Sequence, residues 1–184
     1  MTLARTVVPA TEPLSTDDAK THLRVSGAAD DAYIAGLVSA ARVWVENHTG
    51  QSLIDQTWQL TLDRFPGRIY LPRGPVSAVS SVGYVDGAGA SQEVTPGDYV
   101  LDGNWLRRGY NVTWPTTRSQ PAAVTVTYVA GYGALATAVP ADFVHAVRLL
   151  VGHWYENREP VLNGAVTSKI ALTLEAILSS YITV

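Results

Sequence analysis

The chain reads as an α+β protein: helices from its two ends form a helical bundle, and an antiparallel β-sheet or small barrel is inserted between them. Three observations predict this. Apolar residues recur at three- and four-residue intervals over 30–48 and again over 143–154, the period of a helix buried on one face. Between these stretches the period switches to two in Gln56-Thr57-Trp58-Gln59-Leu60-Thr61-Leu62-Asp63, as in a strand with one wet face. Turn signals then crowd the middle of the chain at a density that fits short antiparallel strands: Phe65-Pro66-Gly67, Pro72-Arg73-Gly74-Pro75, Asp86-Gly87 and Thr95-Pro96-Gly97. The boundaries follow. Residues 1–13 are expected to be a flexible N-terminal arm, 14–53 and 136–184 the helical bundle, and 54–135 the inserted β-region.

Leu14-Ser15-Thr16-Asp17-Asp18-Ala19 opens a short helix, with Ser15 as N-cap and two aspartates on the unpaired amides of the first turn. A second helix is predicted from Asp30 to His48. Ile34, Leu37, Val38, Ala41 and Val45 form its buried stripe, and Thr49-Gly50 ends it. Strands are predicted at 56–63, Arg68–Leu71, Val76–Val85, Asp98–Leu101 and Ala122–Val129. Pro140 suits the first position of the next helix, whose apolar face is Phe143, Val147, Leu150, Val151 and Trp154. A last helix carries the stripe Ile170, Leu174, Ile177, Leu178 and Tyr181.

Composition excludes several function classes. A chain of 184 residues is long enough to bury a core without staples, and it contains no cysteine, so disulfides, thiolate metal sites and cysteine nucleophiles are absent. The net charge is -3 and the sequence pI about 5.7, with no basic run that would neutralise a row of phosphates. No signal-peptide core or stretch of about 20 apolar residues stands out, so a protein made in the cytoplasm with no membrane partner is expected. Only 16% of residues are charged, against about 25% in a typical chain, so part of the surface is expected to meet partners.

His153 and Glu156 could share one face of a helix, but a catalytic zinc needs a third ligand, and a helix-end hydrogen bond or salt bridge accounts for the pair. The doublets Asp17-Asp18 and Asp30-Asp31 stand where helices begin, and the macrodipole explains them. Gly131-Tyr132-Gly133 lacks the third glycine of a dinucleotide loop and lies too far from the helix at Pro140 to close over a phosphate. No serine has the context of a nucleophile. The reading therefore expects no enzyme, catalytic residue, metal or cofactor. The richest segment runs from Trp105 through Arg107, Arg108 and Tyr110 to Trp114, with Arg118 beyond it. Three readings stay open for it: a β-hairpin filling the sheet core, a protein interface anchored by aromatics and arginines, or a stacking platform for single-stranded bases.

Several segments, in order, resemble the head–tail connector (adaptor) family of tailed phages and gene transfer agents. They are Leu14-Ser15 through Leu23-Arg24-Val25, Asp30 to Ile34, Ala40-Ala41-Arg42 with Glu46 and Thr49-Gly50, and Gln56-Thr57-Trp58. These are followed by the Leu71-Pro72 to Pro75-Val76 turn, Val82-x-Tyr84, Val126-Thr127-Tyr128-Val129-Ala130-Gly131-Tyr132-Gly133, and His153-Trp154-Tyr155-Glu156-Asn157-Arg158-Glu159. The resemblance covers roughly residues 14–160 and fades after Pro160.

It implies a helical bundle carrying a β insertion, and a structural subunit of the virion neck rather than an enzyme. Such subunits assemble into a ring, twelvefold in the family, under the portal protein. The ring extends the DNA channel, which double-stranded DNA passes without sequence-specific binding, and docks a head-closure or tail protein. Arg158 and Glu159 would pair with neighbouring elements or subunits; apart from the resemblance, the amphipathic pattern of Ile170–Val184 suits a segment that packs on the bundle or docks on the portal as a helix in a groove. The candidate interface residues are thus Trp105, Arg107, Arg108, Tyr110, Trp114, Arg118, Arg158, Glu159, Ile170, Leu174, Ile177 and Tyr181. A head-closure or tail-terminator role is the alternative within the same setting, and a small ligand-binding domain or enzyme the alternative outside it.

Overall fold

The structure is a computed structural model that describes residues 1–157 and 166–182, with side chains in the last helix from residue 172 onward. It is α+β with antiparallel pairing throughout its sheets. The chain divides into two compact units, Met1–Pro9 with Asp55–Tyr132, and Ala10–Ile54 with Gly133–Val184.

The first unit holds all the strands found among the described residues: β1 (Thr2–Val7), β2 (Gln56–Leu62), β3 (Arg68–Tyr70), β4 (Val76–Val85), β5 (Ser91–Glu93), β6 (Tyr99–Asp102), β7 (Trp105–Arg108) and β8 (Val124–Ala130). They form a five-stranded sheet in the order β1-β2-β8-β4-β5 and a three-stranded sheet in the order β3-β7-β6. Both sheets are open, so the expected small barrel is not formed: β1 and β5 are the two edges of the larger sheet and do not pair with each other.

β8 is central because it alternates without interruption. Val124, Val126, Tyr128 and Ala130 point inward and are buried, and Val126 lies between Leu60 of β2 and Val82 of β4. Ile69, Leu71, Val94 and Leu106 complete this core. Each such side chain contributes about 1.5–3 kcal/mol by leaving water. The buried Tyr128 hydroxyl donates to the Pro72 carbonyl at 2.7 Å, and burial raises its phenol well above the ordinary tyrosine range. Asn104, in the β6–β7 turn, accepts from the Val76 amide at 3.2 Å and, through its carbonyl, from the Leu71 amide at 2.8 Å.

The N-terminus departs from the expected flexible arm. Thr2–Val7 is an edge strand on β2, with Leu3 opposite Leu60 and packed on the core. Arg5, opposite Trp58, donates to Gln56 Oε1 at 3.1 Å.

The second unit holds α1 (Thr16–Leu23), α2 (Asp31–Thr49), α3 (Ala141–Glu156) and α4 (Val166–Leu178). Ser15 caps α1 by accepting from the Asp18 amide at 3.0 Å, and Gly50 ends α2 at φ 70°, a left-handed geometry that suits glycine. Asp30 precedes α2 without a side-chain cap bond, because its carboxylate accepts the Tyr155 hydroxyl at 2.5 Å. Helix α3 packs on α1, α2 and α4, with Phe143, Ala146, Val147, Leu150 and Val151 buried. Among the described residues of this unit, Arg42 and Glu46 are buried charges. Arg42 donates to Glu46 at 2.8 Å and to Glu12 at 2.7 Å, and the second oxygen of Glu46 accepts the Leu53 amide at 3.0 Å. Burial acts to lower the Arg42 pKa, but the Glu12 hydrogen bond and the two carboxylate charges outweigh it and leave the guanidinium raised.

Candidate interface site

The three-stranded sheet turns one side inward and presents the other to solvent. Ile69 and Leu106 are buried, so the alternation of β3 and β7 puts Arg68, Tyr70, Trp105 and Arg107 on the opposite face. Register then builds two rows. Tyr70 lies opposite Trp105, with ring centroids 5.1 Å apart, and Asp102 lies beyond Trp105. Arg68 lies opposite Arg107, and Val100, 55% exposed, lies beyond Arg107.

The electrostatics of these rows are unbalanced. Two arginines directly opposite each other repel, and a cross-strand pair of like charge is destabilising. Part of the repulsion is relieved locally. Arg68 stacks over the Trp105 ring at 4.1 Å, and Arg107 pairs with Asp102 at 2.8 Å. The Arg107–Asp102 pair is half-exposed, so it is worth at most about 1 kcal/mol. Arg108, opposite Tyr99, is exposed and has no ion-pair partner among the described residues. Burial, with the Glu93 charge second, pushes the Tyr99 phenol up, so it stays neutral beside Arg108.

Arg68, Arg107 and Arg108 line an open basin of about 750 Å³ that also includes Gly67, Gly109, Asn111 and Val112. Tyr110 forms its rim and is 94% exposed. Tyrosine, tryptophan and arginine in this arrangement are the side chains that anchor protein interfaces. No group of three metal-ligating side chains is found among the described residues.

The predicted interface residues do not all meet here. Trp105, Arg107, Arg108 and Tyr110 come together, but the hairpin is 99–108 rather than 105–114. Trp114 instead stacks on Phe65 at 4.8 Å and 6° and packs on the β core, its indole nitrogen buried without a hydrogen-bond partner. Arg118 lies with Asp63, Arg64 and Gln120 around a different cavity, its amide bonded to Val85.

On α4, Leu174 is buried and Ile177 half-buried. Tyr181 donates to Asp142 at 3.0 Å, lies 4.3 Å from the Phe143 ring, and through its carbonyl accepts Gln51 at 2.7 Å. These side chains serve the packing of their own unit. Arg158 and Glu159 lie outside the described residues, as does the side chain of Ile170. Among the described residues His153 and Glu156 meet no third ligating side chain, and Asn157 closes the end of α3 by donating to the His153 carbonyl at 2.8 Å.

Sequence reasoning missed Arg68, Tyr70 and Val100. The signal available was the outward Arg-x-Tyr of the 68–71 strand, but only its pairing with β7 brings it to the arginines.

Comparison with known proteins now decides the family. The head completion protein family model matches residues 12–173. The chain belongs to the head completion protein family. Among solved structures, it is similar to a chain in the neck of an empty GTA particle computed with C6 symmetry, with TM-score 0.82 and 27% identity over 100% of this chain and 96% of that one. It is also similar to a chain in the virion of a native gene transfer agent particle, with TM-score 0.81 and 26% identity over the same shares. A third match, to the neck of a native GTA particle computed with C12 symmetry, has TM-score 0.76 at 24% identity and shows the common fold. Family and neighbours are structural virion proteins, not enzymes. Among curated proteins, none matches the chain.

Proposed function

We propose that this head completion protein is a structural adaptor of the virion neck. Copies assemble into a ring under the portal protein, extend the DNA channel and dock the next neck or tail protein. The observation that carries this reading is the likeness over the whole chain to a subunit of a GTA neck with cyclic symmetry. A ring of twelve is compatible with that sixfold symmetry. Cyclic rings use heterologous contacts, in which two different patches of one subunit meet. The net charge of -3 supports a conduit that DNA slides through rather than a clamp, since tight duplex binding needs many cations on phosphates. The helices of the second unit serve as the bundle of the expected adaptor architecture.

The basin of Arg68, Arg107 and Arg108 is the docking surface of this reading, for an acidic segment of a neck partner. Reversing Arg107 and Arg108 to glutamate tests it. The subunit is expected to fold unchanged, because both side chains are exposed. Particle assembly or partner capture is expected to fall at least tenfold. Unchanged infectivity or gene transfer would reduce the basin to ordinary surface.

A further inference from the structure

Helix α2 is inverted in its charges. After Asp31 it contains two permanently charged residues, Arg42 and Glu46, and both are buried and paired with each other. Its outward face carries Tyr33, Gly36, Ala40, Val43, Trp44 and His48, with no permanent charge over about 24 Å of helix. Tyr33 is 38% exposed, and Val43 and Trp44 are each 36% exposed. The Trp44 ring lies flat on His48, with centroids 4.9 Å apart.

A helix on the surface of a finished monomer puts its charges outward and its apolar stripe inward. Helix α1 of the same unit does this, exposing Asp17 and Asp18, with the exposed Arg24 at its C-cap. A helix apolar on both sides is covered on both sides. We propose that the outer face of α2 is buried against a neighbouring copy of this chain. The inference rests on the ring reading above and names the surface that closes it.

Two observations select a second copy as the occupant. The face has no charge to meet DNA phosphates or a charged tail segment, so electrostatic partners gain nothing from it. A chain of the same fold sits in a neck computed with C6 symmetry, so copies of that chain are repeated around one axis, the arrangement in which like subunits meet side by side. Trp44 and Tyr33 are the anchor types of such contacts, and Gly36 and Ala40 between them leave room for a partner backbone.

The test uses the full chain with its own portal. Ala40→Glu places a charge at the centre of the face at only a small cost in helix propensity, since glutamate is itself a good helix former. The isolated variant is expected to keep its circular dichroism and to melt within a few degrees of the parent, while ring formation falls at least tenfold. The parent chain contains no cysteine, so Ala40→Cys supplies a single thiol. Its maleimide labelling should be rapid in the free subunit and at least tenfold slower in the ring.

If the parent forms no ring, the ring reading fails and this inference with it. If the parent forms a ring and Ala40→Glu forms it equally well, or the thiol stays open in the ring, the α2 assignment is overturned while the ring stands. If the thiol is protected but Ala40→Glu still closes rings, a different protein covers α2, and the copy-to-copy assignment is equally overturned.

Discussion

Replacing Arg42 with alanine is expected to be among the most damaging single changes in the helical unit. Arg42 lies between Glu46, which is buried, and Glu12, whose side chain is 32% exposed. Removing the guanidinium takes from Glu46 its paired cation in a poorly solvated site, while the Leu53 amide still donates to its other oxygen. Breaking a buried pair in this way costs about 3–5 kcal/mol. Glu12 can turn to water, so its part is that of a surface pair, about 0–1 kcal/mol. The expected total is thus about 3–6 kcal/mol at pH 7, a fall of about 1.5–3 M in the urea midpoint for a slope of about 2 kcal/mol per M.

The variant also has a pH signature. Loss of the Arg42 charge beside the buried Glu46 carboxylate disfavours its ionised form and moves its folded-state pKa upward, so the deficit is largest where Glu46 is ionised and falls as pH drops through that folded value. The deficit of Arg42→Ala should therefore shrink between pH 7 and pH 5. Combining Arg42→Met with Glu46→Gln keeps an acceptor for the Leu53 amide and removes both charges, and should recover at least about 1 kcal/mol. A cost below about 1 kcal/mol for Arg42→Ala, or a deficit that grows on acidification, would refute the reasoning.

Three further outcomes are expected. Tyr128→Phe leaves the Pro72 carbonyl without its donor and should cost about 1–2 kcal/mol in urea unfolding; spectrophotometric titration of the folded parent should show a late-ionising tyrosine component that shrinks in Tyr128→Phe. Asp86 is held below the ordinary carboxylate range, first by the Gln92 side chain and then by the Ala90 amide, so its contribution is present above the unfolded value and lost as pH falls through the folded one. Hydrogen exchange at Ala88 and Ala90 should accelerate only in strong acid, and Asp86→Ala should abolish their protection at neutral pH. Trp114→Ala should cost about 2 kcal/mol of fold stability because the ring packs on Phe65; a stable variant that fails only in assembly would return Trp114 to the interface.

Local chemistry was readable from the sequence wherever a residue's neighbours in the chain decide its role. The Ser15 cap, the Gly50 stop and the Val76–Val85 strand appear where propensity and turn residues put them. Pairing was not readable. Whether eight short strands close into a barrel depends on which edges meet, and no local signal states that β1 and β5 stay apart. The Thr2–Val7 segment is a strand because Leu3 finds the core beside β2, a contact about sixty residues away.

The site shows the same division. Trp105, Arg107, Arg108 and Tyr110 were legible as residue types, whereas Arg68 and Tyr70 join them only through β3–β7 register. The apolar stripe of α2 was legible, but the burial of Arg42 and Glu46 beside it was not. An i, i+4 ion pair ordinarily marks a wet face, and this one is buried where Glu12 meets Arg42 and the Leu53 amide meets Glu46, partners the local sequence does not announce.

The central claim is tested most directly by mixing the purified protein with its own portal and imaging the product by electron microscopy. The account predicts a ring of this chain coaxial with the portal, continuing its channel and matching its cyclic order. Portal particles that stay bare at saturating concentrations of the protein would contradict it.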